Sequence, residues 1–474
     1  VGGPDSILPG VDGSFRDPSA VVLQSGGRVF RALDDAAFED FEALVASGVL
    51  ARQVSAGRVV ATWPVASADV PGAPVIDRRR PHLIEHERIA FVSHPYEWPF
   101  SLLKRAAVLH LDLHLDLLRS GFTLADGSAY NIQFRGTRPV FIDIPSVRRY
   151  REGEYWAGYR QFCEQFLNPL LLTAVVGIPY HGWYRGTLEG VAVDDVARLL
   201  PARAALSWRV LLHVTLHARM TVSGQRRPDA GLPAPGGKHG RPLSRAALAW
   251  LLRGMRNWIV GLRPRGASAS RWADYSTRTS YAAEEADAKR SFVAAYIARA
   301  APAEVLDLGC NNGVYSEIAL AAGAKRVVGL DTDLGALEAA VHRADARSLA
   351  LLPLVVDAAN PSPDQGWNQR ERPGLQARAT ADGLLALAFL HHIVIGRNVP
   401  LEQAVRWVVG LAPTGVLEFV PKQDPMVQRM LAHRLDIFPT YDRDSFRREL
   451  ERSAFIARET RISSSGRTLF EYRR

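Results

Sequence analysis

The stretch Glu304-Val305-Leu306-Asp307-Leu308-Gly309-Cys310-Asn311-Asn312-Gly313 decides how this chain is read. Its first residues predict a buried strand, and the glycines at 309 and 313 predict a tight turn at the strand's end. A helix is expected at Val314 to Ala322. Glycine suits such a turn because the backbone must bend sharply and approach a ligand where a Cβ would collide. Strand-to-helix glycine turns also serve dinucleotides, but the G-x-G-x-x-G fingerprint of those sites is absent. What stands instead is an acidic residue at a strand end followed by a G-x-x-x-G span.

Working outward, Arg326 to Leu330 reads as a second strand ending in Asp331. Leu352 to Val356 reads as a third, ending in Asp357-Ala358. A fourth, Leu384 to Phe389, leads into His391-His392. Leu411-Ala412-Pro413-Thr414-Gly415 reads as the turn before a fifth, Val416 to Val420. From about residue 285 onward helix and strand alternate, as in a parallel doubly wound sheet.

This ordered set resembles the class I S-adenosylmethionine-dependent methyltransferases. The resemblance implies an α/β fold with a Rossmann-like seven-stranded sheet over residues 265–474, and S-adenosylmethionine as cofactor. It assigns the cofactor turn to Asp307, Gly309, Asn311 and Gly313, the ribose to Asp331, and the adenine to Asp357 and Ala358. Asn311 stands where the family has glycine; asparagine tolerates left-handed backbone angles, so the turn is expected to survive. Trp272, Tyr275 and Tyr281 sit just before the first helix of this domain and read either as an aromatic lid over cofactor (Tyr281) and substrate (Trp272, Tyr275), or as packing. The wording from Leu306 to Ser316, with Pro353-Leu354-Val355-Val356-Asp357, Leu390-His391-His392 and Glu418-Phe419-Val420-Pro421-Lys422, is similar to a narrower group. These are bacterial methyltransferases labelled nodulation-protein NoeA-like, and the similarity runs from about residue 80 to the end.

Methyl transfer depends on placing the acceptor in line with a sulfonium, and a general base is needed only when the acceptor carries a proton. His391 and His392 follow the fourth strand and suit that base; histidines there also simply pack. Glu418 lies within the apolar fifth strand, so it needs either a structural partner or a substrate. The polar insert Asn360 to Arg372, with Trp367, Arg370 and Arg372, reads as substrate contact or as a solvated loop. No metal is expected in this half.

The N-terminal half, residues 1–220, reads as an α+β domain. Gly26-Gly27 predicts a hairpin turn, residues 35 to 48 a helix, Val59 to Trp63 and Ile89 to Val92 strands, and Phe100 to Leu118 a buried helix. Short strands at Ile132 to Phe134 and Val140 to Ile144 precede a helical stretch from about 154 to 219. Asp126, Asn131 and Asp143, spaced around those strands, resemble the catalytic and metal loops of kinase-like folds. By that resemblance Asp126 would be the base, and Asn131 and Asp143 the magnesium ligands. The departures are large. No histidine-arginine pair precedes Asp126, Ile144-Pro145 follows Asp143, no glycine-rich phosphate loop is present, and the first lysine of the chain is Lys104. Phosphotransfer is not expected, and the half reads as a degenerate module. His110, Asp112, His114 and Asp116 pair up on helix faces without a third ligand, so they read as polar positions of a buried helix.

Residues 221–264 read as a Gly/Pro-rich connection followed by a short helix. The chain of 474 residues is 47% hydrophobic and 23% charged, with net charge +9 and pI near 9.7. Only five of its 58 basic residues are lysines, and no basic stripe is interleaved with aromatics. The charge therefore speaks weakly for nucleic acid, and the expected partner is a small molecule; an RNA methyltransferase and a non-catalytic binding protein are the alternatives. Two distant cysteines and no apolar run of membrane length point to the cytoplasm.

Overall fold

In a computed structural model of the chain, the residues described are 13–70, 79–205, 207–215, 243–265, 283–432 and 434–474. Trp272, Tyr275 and Tyr281 lie outside them, as does most of the Gly/Pro-rich connection.

The apolar strands of the C-terminal half assemble into one mixed seven-stranded sheet. They are β9 (Glu304–Leu308), β10 (Arg326–Asp331), β11 (Leu351–Val355), β12 (Gly383–Ala386), β13 (Thr414–Phe419), β14 (Phe455–Arg461) and β15 (Thr468–Arg473). Their order across the sheet is β11-β10-β9-β12-β13-β15-β14. The first five run parallel, and β15 is antiparallel to both β13 and β14. All five residues of β9 are buried, as expected of a central parallel strand covered on both faces. From β9 the chain proceeds outward to β10 and β11, then returns to lay β12 on the other side of β9. That reversal opens a crevice beyond the carboxyl ends of β9 and β12, the place where open α/β sheets bind ligands.

The fourth strand stops at Ala386, short of the Phe389 expected. Ala388 takes a positive φ of 48°, and its N–H turns to donate to Glu418 Oε2 at 2.8 Å instead of continuing the ladder.

In the N-terminal half, β1 (Ala20–Ser25) and β2 (Arg28–Leu33) form a hairpin through Gly26-Gly27. With β3 (Thr62–Val65) and β4 (His82–His86) they make an antiparallel sheet of order β1-β2-β4-β3. Helix α1 (Asp35–Ala46) is capped by Asp34, whose carboxylate accepts from Ala37 N at 2.8 Å. The strand expected at Ile89 to Val92 is absent; its place is taken by β4, seven residues earlier in register with β2 and β3. The segment His82-Leu83-Ile84-Glu85-His86 hid its strand character because Glu85, although buried, is charged; Arg28 binds it from β2 through paired bonds of 2.7 and 2.6 Å.

Helix α2 (Val49–Ser55) follows α1, and the long α3 (Phe100–Arg119) forms the spine of this half, with Leu102, Leu103, Ala106, Leu111 and Leu118 among its buried residues. Two small ribbons pair β5 (Phe122–Leu124) with β8 (Val147–Arg149) and β6 (Ile132–Arg135) with β7 (Arg138–Phe141). On α3 the inward His110 and His114 meet aromatic rings and Thr123, while Asp112 pairs with Arg256, and Asp116 with Arg58 and Arg119. The helix Arg245–Gly261 thus packs on α3 as part of the N-terminal core, with the Arg256–Asp112 contact at 2.5 Å.

The two halves share a continuous apolar core that includes Leu103 and Leu111 on one side and Leu306, Val328 and Leu354 on the other. Among the described residues no helix is long and apolar enough to cross a membrane.

Candidate cofactor and acceptor site

The turn after β9 has the backbone that its residue types favour. Gly309 and Gly313 adopt φ of 72° and 78°, and Asn311, where the resembled family has glycine, adopts 49°. A Cβ at Gly313 would stand 2.9 Å from Leu351 Cδ2, and one at Gly309 would stand 3.1 Å from Phe389 Cδ2. Both glycines therefore combine a left-handed backbone with a close approach, two demands only glycine meets without strain. The Asn311 side chain holds the turn, its Oδ1 accepting from Asn312 N at 2.8 Å.

Asp307 lies beneath this turn, fully buried, and accepts from Ser316 Oγ at 2.6 Å. Burial pushes its carboxyl up to about 6, with the Ser316 bond opposing. It ties the turn to the helix that follows. Asp331, at the end of β10, accepts from three backbone amides: Thr332 and Asp333 on Oδ1 at 2.7 and 2.9 Å, and Asn311 on Oδ2 at 2.8 Å. A carboxylate offers about four acceptor positions, so roughly one remains for a ligand hydroxyl. A second hydroxyl would have to share Oδ2 with the Asn311 amide. Burial raises the Asp331 carboxyl above the usual range, against the three amide bonds that favour its charged form.

Asp357 follows β11, its Oδ1 accepting from Ala359 N at 2.9 Å and its Oδ2 meeting Arg397 Nη2 at 3.0 Å. Ala358 is half-buried against the core. The donors and acceptors at the ends of β9, β10 and β11 thus form a row: a close-approach glycine turn, a carboxylate, then a second carboxylate beside a small residue. That set fits a nucleoside carrying hydroxyls and an exocyclic amine, which is what S-adenosylmethionine would present.

His391 and His392 open the helix Leu390–Arg397 beyond β12, with ring centroids 4.1 Å apart. His391 is buried, and neither ring nitrogen has a hydrogen-bond partner among the described residues. Burial, then His392, Arg467 and Lys289, hold it well below the ordinary histidine range. His392 is half-buried, and it is lowered by burial and by Arg467. Both rings are thereby biased toward the neutral form.

Glu418 is engaged on both oxygens. Lys289 Nζ lies 2.5 Å from Oε2, Arg467 Nη1 lies 3.0 Å from Oε1, and Ala388 N donates to Oε2. Arg467 Nε also reaches Asp424 Oδ2 at 2.7 Å, closing a buried set of two cations and two anions. Burial alone would raise the Glu418 carboxyl; Lys289 and Arg467 hold it below the usual range. Burial also pulls the Lys289 ammonium down. With two cations on one carboxylate, the ionised arrangement is the one that fits. Lys289, Arg467 and Asp424 escaped the sequence reading. A lysine in a chain nearly devoid of lysines was the available signal.

The insert after β11 lies against the N-terminal half. Arg372 stacks over the Tyr130 ring at 4.0 Å, and Glu371 pairs with Arg16 at 2.5 Å. Trp367 is 73% exposed and Arg370 is exposed, in a turn where Asn368 and Gln369 take positive φ.

The N-terminal cluster is also assembled. Asn131 Nδ2 donates to Asp126 Oδ1 at 2.8 Å and to Asp143 Oδ2 at 3.0 Å. Arg31, from β2, closes on the other oxygen of Asp143. Burial, and then the charge of Asp143, pushes Asp126 up to about 7.

Compared with known proteins, the chain is 42% identical over 464 residues to the nodulation protein NoeA of Rhizobium meliloti (strain 1021), covering 98% of this chain and 96% of that protein. No family model matches it. Among solved structures, the bifunctional kinase-methyltransferase WbdD aligns over 42% of this chain and 41% of its own, with 18% identity and a TM-score of 0.30. The N-methyltransferase NodS of Bradyrhizobium japonicum WM9 aligns over 40% of this chain and 96% of its own, with 14% identity and a TM-score of 0.30.

Proposed function

The chain belongs to the family of the nodulation protein NoeA, and from that premise and the site geometry we propose an S-adenosylmethionine-dependent methyltransferase acting on an oxygen or nitrogen of a small molecule. The observation that carries this reading is the row at the sheet's switch point: the Gly309–Gly313 turn, Asp331 and Asp357 at the ends of three adjacent parallel strands. When bound, the cofactor supplies a methyl group on a sulfonium. The chain's own residues do the rest. The glycine turn lets the backbone come close, Asp331 accepts from a ribose hydroxyl, and Asp357 with Ala358 borders the adenine.

His392 is the proposed base. It is the less buried of the two rings and is biased toward its neutral form, so it could take the proton of a hydroxyl or amine acceptor. His391 forms the wall behind it. Glu418 stays with its cations, holding Ala388 and so the start of the histidine segment.

A small-molecule acceptor is favoured over nucleic acid because many surface arginines are tied to carboxylates, as in Arg135–Glu87, Arg443–Glu459 and Arg347–Glu317. For the N-terminal half we propose a kinase-like arrangement that has lost phosphotransfer and serves recognition, since Arg31 already pairs with Asp143. The two buried free thiols suit a cytoplasmic setting.

The test is incubation with methyl-labelled S-adenosylmethionine and fractionated extracts. Label in a small-molecule fraction, lost with His392→Asn, supports the proposal. Label in RNA favours a nucleic-acid enzyme, and cofactor binding with no label in any fraction favours a non-catalytic binding protein.

A further inference from the structure

β11 is an edge strand of the sheet, and within the C-terminal half the loop after it is held at Asp357 by Arg397. The N-terminal half supplies further contacts to the same loop. Arg185, from the helix His181–Thr187, donates through Nη1 to Asn360 O at 2.9 Å. Its Nη2 donates to Asn360 Oδ1 at 3.2 Å and to Pro361 O at 2.9 Å. In return, Arg185 O accepts from Gln365 Nε2 at 3.0 Å. The chain of bonds continues inward, because Asn360 N donates to Asp357 O at 2.9 Å. One guanidinium from the N-terminal half is therefore two steps from the residue that borders the adenine in the reading above.

A buried ion pair secures the same loop farther along. Glu97 and Arg378 are both buried, with Arg378 Nη2 2.5 Å from Glu97 Oε1 and Nη1 3.0 Å from Oε2. Ser362 Oγ donates to Glu97 Oε1 at 2.7 Å, and the amide of His94 donates to Oε2 at 2.9 Å. Every oxygen lone pair that this carboxylate offers toward the loop is used, as a buried charge requires. A pair so placed fixes geometry more than it adds stability.

We propose that Arg185, supported by the Glu97–Arg378 pair, is a positioning residue for the turn Asp357 to Asn360, so that the N-terminal half sets the affinity of the C-terminal site for its cofactor. The inference rests on the cofactor reading above. It assigns the N-terminal half a task in the first binding step, separate from any acceptor recognition. Arg185 touches no reacting atom; it acts through Asn360 on Asp357. Its loss should accordingly appear in the cofactor's Kd and KM and leave kcat nearly unchanged.

The experiment is calorimetric titration of S-adenosylmethionine into the full chain, with thermal melting of each variant. Arg185→Ala is expected to weaken binding about tenfold, the scale of losing a small set of charge-assisted hydrogen bonds, and Arg185→Lys to recover part of it. Arg105→Ala serves as the control. Arg105 bridges the halves through Asp345, away from this loop, so its loss loosens the interface without touching Asn360. It should leave the Kd unchanged. If Arg185→Ala does not fold, Arg185→Gln, which keeps the apolar stem, carries the same expectation. Wild-type affinity in a folded Arg185 variant overturns the inference, and so does an equal loss in Arg105→Ala. A wild-type chain that binds no S-adenosylmethionine overturns the cofactor reading itself, a separate outcome visible before any variant is made.

Discussion

Two parts of the molecule place aspartates beside tight turns, and they differ in what those carboxylates face. In the N-terminal half, Asp126 and Asp143 look toward each other across Asn131, and Arg31 pairs with Asp143. In the C-terminal half, Asp331 meets, among the described residues, only backbone amides of its own neighbourhood, which leaves room for roughly one more donor. Residue type and spacing looked functional in both places. The difference lies in whether a cation from elsewhere in the chain has already claimed the charge. The same distinction applies within the C-terminal half, where Glu418 is enclosed by Lys289 and Arg467.

The largest expected effect is at the enclosed carboxylate. Glu418→Ala leaves two buried cations with one fewer anion, and unfolding free energy should fall by about 3–5 kcal/mol, the cost of breaking a buried pair from one side. Chemical denaturation measures it; a loss below about 1 kcal/mol would mean that Glu418 is not the centre of that set.

Asp331→Ala comes next. The chain should fold, while affinity for S-adenosylmethionine drops about 100-fold, on the order of one strong charge-assisted contact. Unchanged affinity would place Asp331 among the enclosed acids after all.

A smaller effect concerns pH. Asp126 is held up to about 7, so the folded chain keeps a proton that the unfolded carboxyl releases near 3.9. Stability should therefore fall as pH rises from about 4 to about 7 and level off above. Asp126→Asn should flatten that slope, and parallel denaturation profiles for variant and wild type would contradict the assignment. The smallest expected effect is none: ATP with magnesium should leave the melting temperature of the full chain unchanged while Arg31 holds Asp143. A rise of several degrees would reopen phosphotransfer.

Most of the C-terminal sheet was legible because each strand is a short apolar run ending in a turn or an acid. That signal is local, and five strands were placed to within a few residues. The glycine turn was legible for the same reason, down to the left-handed angle at Asn311. What escaped depended on distant partners. Lys289, Arg467 and Asp424 come from three separate parts of the chain; Lys289 and Arg467 meet at Glu418, and Asp424 joins them through Arg467. The polar insert after β11 reads in sequence as substrate contact or a solvated loop because the groups that satisfy it, Arg185, Glu97 and Tyr130, belong to the other half. β4 was missed because its glutamate, Glu85, finds Arg28 only once the sheet has formed.

The central claim is that the crevice beyond β9 and β12 holds S-adenosylmethionine. Calorimetric titration of that cofactor into the full wild-type chain tests it most directly. One saturable site per chain, with a raised melting temperature, is the predicted result; no heat of binding and no shift at millimolar cofactor would contradict it.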